Sequence, residues 1–141
     1  MNTPQRICYF VPGALSAHPG GAGEAERRQA YLQRHARAGF EAVLRDNPDG
    51  PASVESVEDE RRAAAAMLAT FPDAVADVEA VIIGCFGDPG LRRARECVPG
   101  VVVGPAEAGR PCRLRVPSDA DRGRLAAASS PAAALAAWEA P

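Results

Sequence analysis

The amino-acid sequence predicts one α/β domain, with a parallel sheet of four or five strands and helices on both faces. Short apolar segments alternate along the chain with longer stretches whose apolar residues recur at helical spacing. The strongest apolar segment, residues 81–83, is a continuous β-branched run, as expected for a strand covered on both faces. Strands that alternate with helices are joined by right-handed crossovers, so the strands should lie parallel.

Four segments are predicted as strands, and a fifth is an open alternative. The four are residues 6–11, 40–44, 80–86 and 101–103, and the fifth is residues 113–116. Parallel strands place their carboxyl ends at one edge of the sheet, where the ligands of such folds bind. The loops that follow the four strands are therefore the expected ligand-binding edge.

Two long helices are predicted before the strongest strand. Residues 24–37 carry small and apolar side chains on one side and arginines on the other. Residues 57–71 place five apolar side chains on one face, namely Val57, Ala64, Met67, Leu68 and Phe71. Each helix should therefore pack one face against the sheet.

Cys85 stands where the strongest strand is predicted to end and the next helix to begin. Asp88 is the expected N-cap of that helix and Pro89 its first residue. The unpaired N–H groups of a first helical turn stabilise a thiolate and bind anions. The sequence thus predicts a reactive thiol beside an anion-binding seat. The alternative is a cysteine that serves as a small buried hydrophobe.

Composition and charge exclude several classes of function. The chain has 141 residues, a formal charge of −2 and interspersed charges of both signs, which gives no basic patch for nucleic acid or an anionic membrane. All sixteen basic residues are arginines, so Schiff-base chemistry on a lysine is excluded. We expect a cytoplasmic protein, because the sequence shows no signal peptide and no apolar stretch long enough to span a bilayer.

The remaining cysteines and His18 have competing interpretations. The four cysteines show no CxxC pair and no metal-ligand spacing with the histidines, so no metal site is predicted. Cys8 is expected in the core, and Cys97, near the end of a helix, is expected to be a packing residue. Cys112 is either a second reactive thiol or an incidental loop cysteine. His18 follows the first strand and is either a base with near-neutral titration or a solvated loop residue.

Three separated motifs resemble those of the Asp/Glu/hydantoin racemase family. They are DGPASVES at residues 49–56, followed by Asp59 and Glu60, then IGCFGDPGL at residues 83–91 and VVGPAEA at residues 102–108. The resemblance covers residues 6–109. It implies a flavodoxin-like fold, as in one half of such a racemase.

The resemblance also implies a cofactor-independent mechanism. In that family two facing α/β domains each contribute a cysteine. One thiolate removes the proton next to a carbonyl, and the other thiol donates a proton to the opposite face. Cys85 matches the cysteine of the first domain. Ser53 lies in the loop that matches the substrate-contacting loop, and Phe86, Gly87 and Asp88 match the backbone seat for a carboxylate or imide oxygen.

The chain departs from the family pattern in two respects. Pro12 and Gly13 occupy the substrate loop after the first strand, where the family has Asn-Pro-Asn, so two polar contacts are missing. No second cysteine in the family's second-domain setting is found, and the chain ends about where that domain would begin. The second acid or base is expected from a homodimer or from a partner carrying the second domain, unless one-cysteine chemistry suffices.

Two classes of function follow. The first is racemase-like or isomerase-like proton transfer on a small amino-acid-like or hydantoin-like substrate, without cofactor or metal, with decarboxylation or cyclisation as variants. The second is a non-catalytic half-domain that binds a small anion or a partner protein. Ser53 either orients the ligand or caps the following helix, and Glu107 either lines the cleft or is structural. We expect a domain at residues 1–117 and an Ala-rich helical tail at residues 118–141 that packs on the domain or on a second subunit.

Overall fold

Strands and helices alternate through residues 3–109, the part of the chain that the computed structural model describes. The strands are β1 (Gln5–Val11), β2 (Phe40–Asp46), β3 (Ala80–Ile83) and β4 (Val101–Val103). The helices are α1 (Gly21–His35), α2 (Val57–Ala74), α3 (Leu91–Cys97) and α4 (Pro105–Gly109), and a 3₁₀ turn (Leu15–Ala17) follows β1. The predicted strand at residues 113–116, Cys112 and the tail at residues 118–141 lie outside the described residues.

The four strands form one parallel sheet in the order β2-β1-β3-β4. Phe10 pairs with Ile83 on one side of β1, and Val11 pairs with Asp46 on the other. The order confirms the predicted flavodoxin-like α/β fold. Because the chain leaves β1 toward β2 on one side and later returns to β3 on the other, the topological switch point lies between β1 and β3. Open α/β sheets bind ligands at this point, outside the carboxyl ends of the strands.

One face of the sheet carries the main hydrophobic core. Phe10 meets Phe71 of α2 edge to face, with ring centroids 5.5 Å apart. The buried core residues are Cys8, Phe10, Met67, Phe71, Val75, Val81, Ile83, Ala94 and Val102. The predicted apolar face of α2 is confirmed for Met67 and Phe71. It is wrong for Val57, which is 64% exposed because it is the first helical residue, before the helix reaches the sheet.

Helix α1 also protects the free edge of β2. The side-chain amide of Gln29 donates from Nε2 to the Ala42 carbonyl at 2.7 Å, and its Oε1 accepts from the Leu44 N–H at 2.6 Å. Gln33 Oε1 accepts from the Ala42 N–H at 3.0 Å. These bonds occupy backbone groups that a further strand would otherwise pair with, so this edge is not a template for strand addition.

The structure corrects the predicted start of α3. The helix begins at Leu91, and its N-cap is Gly90 with a φ of 68°, rather than Asp88 followed by Pro89 at the first helical position. Strand β3 also ends earlier than predicted, at Ile83, because the Cys85 N–H turns back onto the Ile83 carbonyl at 2.9 Å. A loop therefore separates Cys85 from the first helical turn.

Two arginines of neighbouring strands converge on Asp77. Arg45 of β2 donates to both carboxylate oxygens of Asp77, at 2.6 and 2.9 Å, and Arg6 of β1 donates to the same carboxylate. The bonds from Arg45 hold the pKa of Asp77 well below its usual range, and Arg6 lowers it further. Asp77 therefore ties the loop before β3 to the two preceding strands.

Replacement of Asp77 by Asn should lower the melting temperature at pH 7, and the difference from the wild type should shrink with acidification. A carboxylate with a lowered folded-state pKa stabilises the fold above its unfolded pKa of about 3.9 and loses this effect as the pH falls toward the folded value. Melting curves between pH 7 and pH 2 measure it, with Asp73→Asn on exposed α2 surface as control. A difference that stays constant down to pH 2 would contradict the assignment.

The loops after β1 and β2 are bonded to each other. The Ala14 N–H donates to the Pro51 carbonyl at 3.0 Å, and the Asn47 N–H is shared between the carbonyls of Val11 and Gly13, at 3.0 and 3.2 Å. Gly50 packs so closely that an added Cβ would collide with the Pro12 carbonyl oxygen and the Gly13 backbone. The two loops thus form one unit with no room between their backbones.

Replacement of Gly50 by Ala should therefore destabilise the protein by roughly 1–3 kcal/mol, because backbone atoms must move to admit the methyl group. Gly23→Ala is the matched control, since a Cβ there meets no atom within 4 Å and the residue lies inside α1. That change should stabilise by roughly 0.5–1 kcal/mol. Denaturant unfolding of both variants measures the contrast, and equal effects would contradict the packing.

Candidate functional site

Cys85 lies at the switch point of the sheet. It follows β3 by two residues, and the preceding Gly84 N–H donates to the Phe10 carbonyl of β1 at 2.7 Å. Gly84 also leaves the space that the Tyr9 ring fills, since an added Cβ would collide with that ring. The backbone entering Cys85 is thus fixed by β1. Cys85 itself is half-buried and packs against the edge of the hydrophobic core.

The loop after Cys85 offers two backbone donors. The Asp88 N–H is already engaged, because it donates to the Cys85 carbonyl at 3.0 Å. The N–H groups of Phe86 and Gly87 donate to no acceptor within residues 3–109, and the Phe86 residue is 84% exposed. The predicted seat of three amides is therefore reduced to two. They belong to a loop rather than to the first turn of α3.

The Asp88 carboxylate holds this loop in place. It accepts from the Ala106 N–H at 3.0 Å and from the Glu107 N–H at 2.7 Å, at the start of α4. Asp88 adopts a left-handed backbone with a φ of 48°, and its carboxylate rests against Gly104, where a side chain would collide with it. Asp88 thus caps α4 from a distance instead of capping α3.

Glu107 forms part of the same support. Its carboxylate pairs with Arg95 of α3, and Arg95 Nε donates to the Val102 carbonyl of β4 at 3.0 Å. The pair raises the pKa of Arg95, chiefly through the hydrogen bond from its guanidinium. Glu107 thus links α4 to α3, and it also lines a cavity together with Gly87 and Asp88.

The loops on the β1 and β2 side contain the other predicted ligand contacts. Pro12 and Gly13 are buried beneath the loop after β2. Ser53 is exposed, and its hydroxyl makes no hydrogen bond with the described residues. Ser56 rather than Ser53 is the N-cap of α2, with its Oγ accepting from the Asp59 N–H at 3.1 Å. The hydroxyl of Ser53 is therefore not used for capping.

His18 connects the same two loops. Its Nε2 lies 2.6 Å from the carbonyl oxygen of Ala52, the residue before Ser53. The ring nitrogen must carry its proton to donate in this bond. His18 thus holds the loop of Ser53 in this structure.

The other cysteines have different environments. Cys8 is fully buried, and burial raises its pKa to about 11, so its thiol stays protonated at neutral pH. The core placement of Cys8 is confirmed. The packing prediction for Cys97 is wrong, because Cys97 is exposed as the last residue of α3. Within residues 3–109, no three His, Cys, Asp or Glu side chains are grouped as a metal site requires.

Two polar residues at this edge were not predicted from the sequence as site residues. Asn47 follows β2, is 1% exposed, and its Nδ2 has no hydrogen-bond partner among the described residues. Glu60 lies near the start of α2, and its carboxylate rests against Gly87. The position of Asn47 in the loop after β2, at the expected ligand-binding edge, was the available signal for it. Glu60 belongs to a run of acidic residues that is typical of a helix start, which concealed it.

A cavity of about 610 Å³ lies elsewhere, between α1 and the sheet. It is lined by Tyr9, Arg27, Arg28, Tyr31, Leu32 and Arg34, none of which belongs to the loop of Cys85. Gly87 and Asp88 of the loop of Cys85 instead line a different cavity, of about 490 Å³. A thiol next to two free backbone donors can exchange a proton with a ligand whose oxygen those donors bind.

No helix among residues 3–109 is long and apolar enough to cross a membrane. The fold has a clear relative among solved structures. An allantoin racemase from Klebsiella pneumoniae superimposes with a TM-score of 0.62 at 31% sequence identity, over 79% of this chain and 44% of that one.

Curated proteins show the same similarity. A hydantoin racemase from Rhizobium meliloti is 42% identical over 81 residues, or 56% of this chain and 32% of that protein. A hydantoin racemase from Pseudomonas sp. (strain NS671) is 38% identical over 73 residues, or 51% of this chain and 29% of that protein. The aligned region thus spans about a third of each relative. The sequence model of the Asp/Glu/Hydantoin racemase family matches residues 21–111, and the chain belongs to this family.

Proposed function

We propose that the protein catalyses thiol-mediated proton transfer at a carbon next to a carbonyl, with Cys85 as the acid or base. The observation that carries the proposal is the position of Cys85 at the switch point, followed by two unengaged backbone N–H groups. A hydantoin-like cyclic ureide is the proposed substrate, which agrees with the names of the similar proteins. The proposal needs neither a cofactor nor a metal.

The proposed step moves one proton and one electron pair. The Cys85 thiolate takes the proton from the ring carbon and becomes a thiol. The electron pair of the broken C–H bond moves toward the carbonyl oxygen, which develops negative charge. The N–H groups of Phe86 and Gly87 bind that oxygen, and donors aimed at a developing charge lower the barrier. Ser53 is proposed to orient the ligand from the opposite loop.

Inversion of the carbon needs a second proton donor on the other face. Residues 3–109 hold one cysteine at this edge, since Cys8 is in the core and Cys97 is at the far end of α3. We propose that a second copy of the chain supplies a second Cys85 across a shared cleft. A homodimer with two such half-sites would carry the two thiols that racemisation requires.

Replacement of Cys85 by Ser should slow this chemistry strongly and leave the fold intact. With L-5-benzylhydantoin in D₂O near neutral pH, the wild type should incorporate deuterium at the ring carbon faster than the uncatalysed background. Cys85→Ser should slow this at least about 100-fold, as expected for the loss of a general base. Cys97→Ser is the matched control and should keep the wild-type rate. Mass spectrometry measures the exchange.

Optical activity of the same samples tests the second donor. A shared cleft predicts inversion together with exchange, and both rates per chain should fall when dilution separates the copies. Exchange with retention of configuration would instead show a single thiol that returns the proton to the same face. No exchange above background in the wild type would contradict catalysis and favour the binding-only interpretation.

A further inference from the structure

The carboxylate of Glu60 lies at the loop that carries the proposed catalytic thiol. Glu60 is in the first turns of α2, which packs beneath β1 and β3. A Cβ built on Gly87 would lie 2.9 Å from Glu60 Oε1 and 3.1 Å from its Cδ. The carboxylate can approach the loop backbone this closely because residue 87 is glycine. One of the two unengaged N–H groups thus belongs to Gly87, whose missing side chain leaves room for the Glu60 carboxylate.

Glu60 also lacks a partner, in contrast to its neighbours on the helix. Asp59 bonds to Ser56 at 2.7 Å, and Glu58 lies 3.8 Å from Arg61. Within the described part of the chain, the side chain of Glu60 makes no hydrogen bond and no ion pair, although it is half-buried. A carboxylate in this state is a strong acceptor that is still available to a ligand.

A backbone donor and a carboxylate acceptor are therefore both present at Gly87. An amide or ureide group presents a carbonyl oxygen and an N–H on neighbouring atoms, so it can accept from the Gly87 N–H and donate to Glu60 together. A carboxylate ligand has acceptors only, and its charge is repelled by Glu60. The arrangement fits a neutral ring that carries N–H groups better than a bare carboxylate.

We propose that Glu60 determines specificity by accepting a ring N–H of a cyclic ureide, with the ring carbonyl on the loop amides. This inference rests on the proposed function, because it assumes that the ligand lies at Cys85. It assigns to Glu60 a contact with the substrate and no part in moving the proton. Its loss should therefore raise KM without lowering kcat, because the same negative charge opposes the negative oxygen that develops on the loop amides.

The test measures how the affinity for each of three ligands changes when Glu60 is replaced. The probes are L-5-benzylhydantoin and its 1-methyl and 3-methyl derivatives, each of which lacks one N–H. Dissociation constants are measured by calorimetry on full-length protein with Cys85→Ser, so that no turnover intervenes. Glu60→Ala and Glu60→Gln are compared in this background. Glu58→Gln, on the exposed side of the same helix turn, is the control.

Glu60→Ala should weaken binding of the unmethylated ring roughly tenfold or more, as for a lost charge-assisted hydrogen bond. One of the two methylated probes should bind equally weakly to the protein with Glu60 and to the Glu60→Ala variant, because that probe lacks the N–H that Glu60 would accept. Glu60→Gln should fall between, since its amide oxygen still accepts, and Glu58→Gln should bind normally. A methyl group that obstructs the ring sterically would instead weaken binding equally in all variants.

The inference is overturned if replacement of Glu60 leaves the loss of affinity caused by each methyl group unchanged, or if no probe binds. Failure of the proposed function looks different. In that case the protein with Cys85 intact shows no deuterium exchange, while the dependence of the methylation effect on Glu60 persists. Exchange that proceeds with a methylation effect independent of Glu60 would retain the proposed function and reject the role of Glu60.

Discussion

The two hydrogen bonds that the Ala106 and Glu107 N–H groups donate to the Asp88 carboxylate are the constraint on which the site depends. They join the loop after β3 to the start of α4, and Gly104 leaves room for the carboxylate. At the other end of the loop, Gly84 is bonded to β1. Cys85, Phe86 and Gly87 lie between these two fixed points. The sheet and α4 therefore fix the positions of the free N–H groups, which do not belong to the first turn of a helix.

The thiols of Cys8, in β1, and Cys85, just after β3, differ in burial. Cys8 faces the core, where the loss of hydration disfavours a thiolate and raises the pKa to about 11. Cys85 lies two residues past Ile83, the last residue of β3, where the sheet ends and the loops begin. The same residue type thus serves packing at one position and is available for chemistry at the other.

Much of the fold could be predicted from the sequence because it depends on local patterns. β-branched runs indicated β3 and β4, and helical spacing indicated α1 and α2, so the parallel α/β sheet followed. The start of α3 was mispredicted because Asp88 and Pro89 resemble a helix start. The left-handed backbone of Asp88 depends on its bonds to residues 106 and 107, which no local pattern reveals.

In the candidate site, local sequence patterns pointed to some residues and missed those that depend on long-range contacts. Cys85 was identifiable from its place after an apolar strand. The exposure of Cys97 depends on how far a seven-residue helix extends past the sheet. The contact between Glu60 and Gly87 joins residues 27 positions apart and needs the packing of α2 to be known. Long-range contacts of this kind decide which polar residues meet a ligand.

We propose that Cys85 is an accessible thiol within a ligand site, which residue-resolved alkylation can test. The full-length native protein is treated with iodoacetamide, and mass spectrometry follows each cysteine with and without L-5-benzylhydantoin. We expect that Cys85 is labelled, that the ligand slows its labelling while leaving Cys97 unaffected, and that Cys8 reacts only after unfolding. Labelling of Cys85 that is unaffected by the ligand, or that requires unfolding as for Cys8, would contradict the proposal.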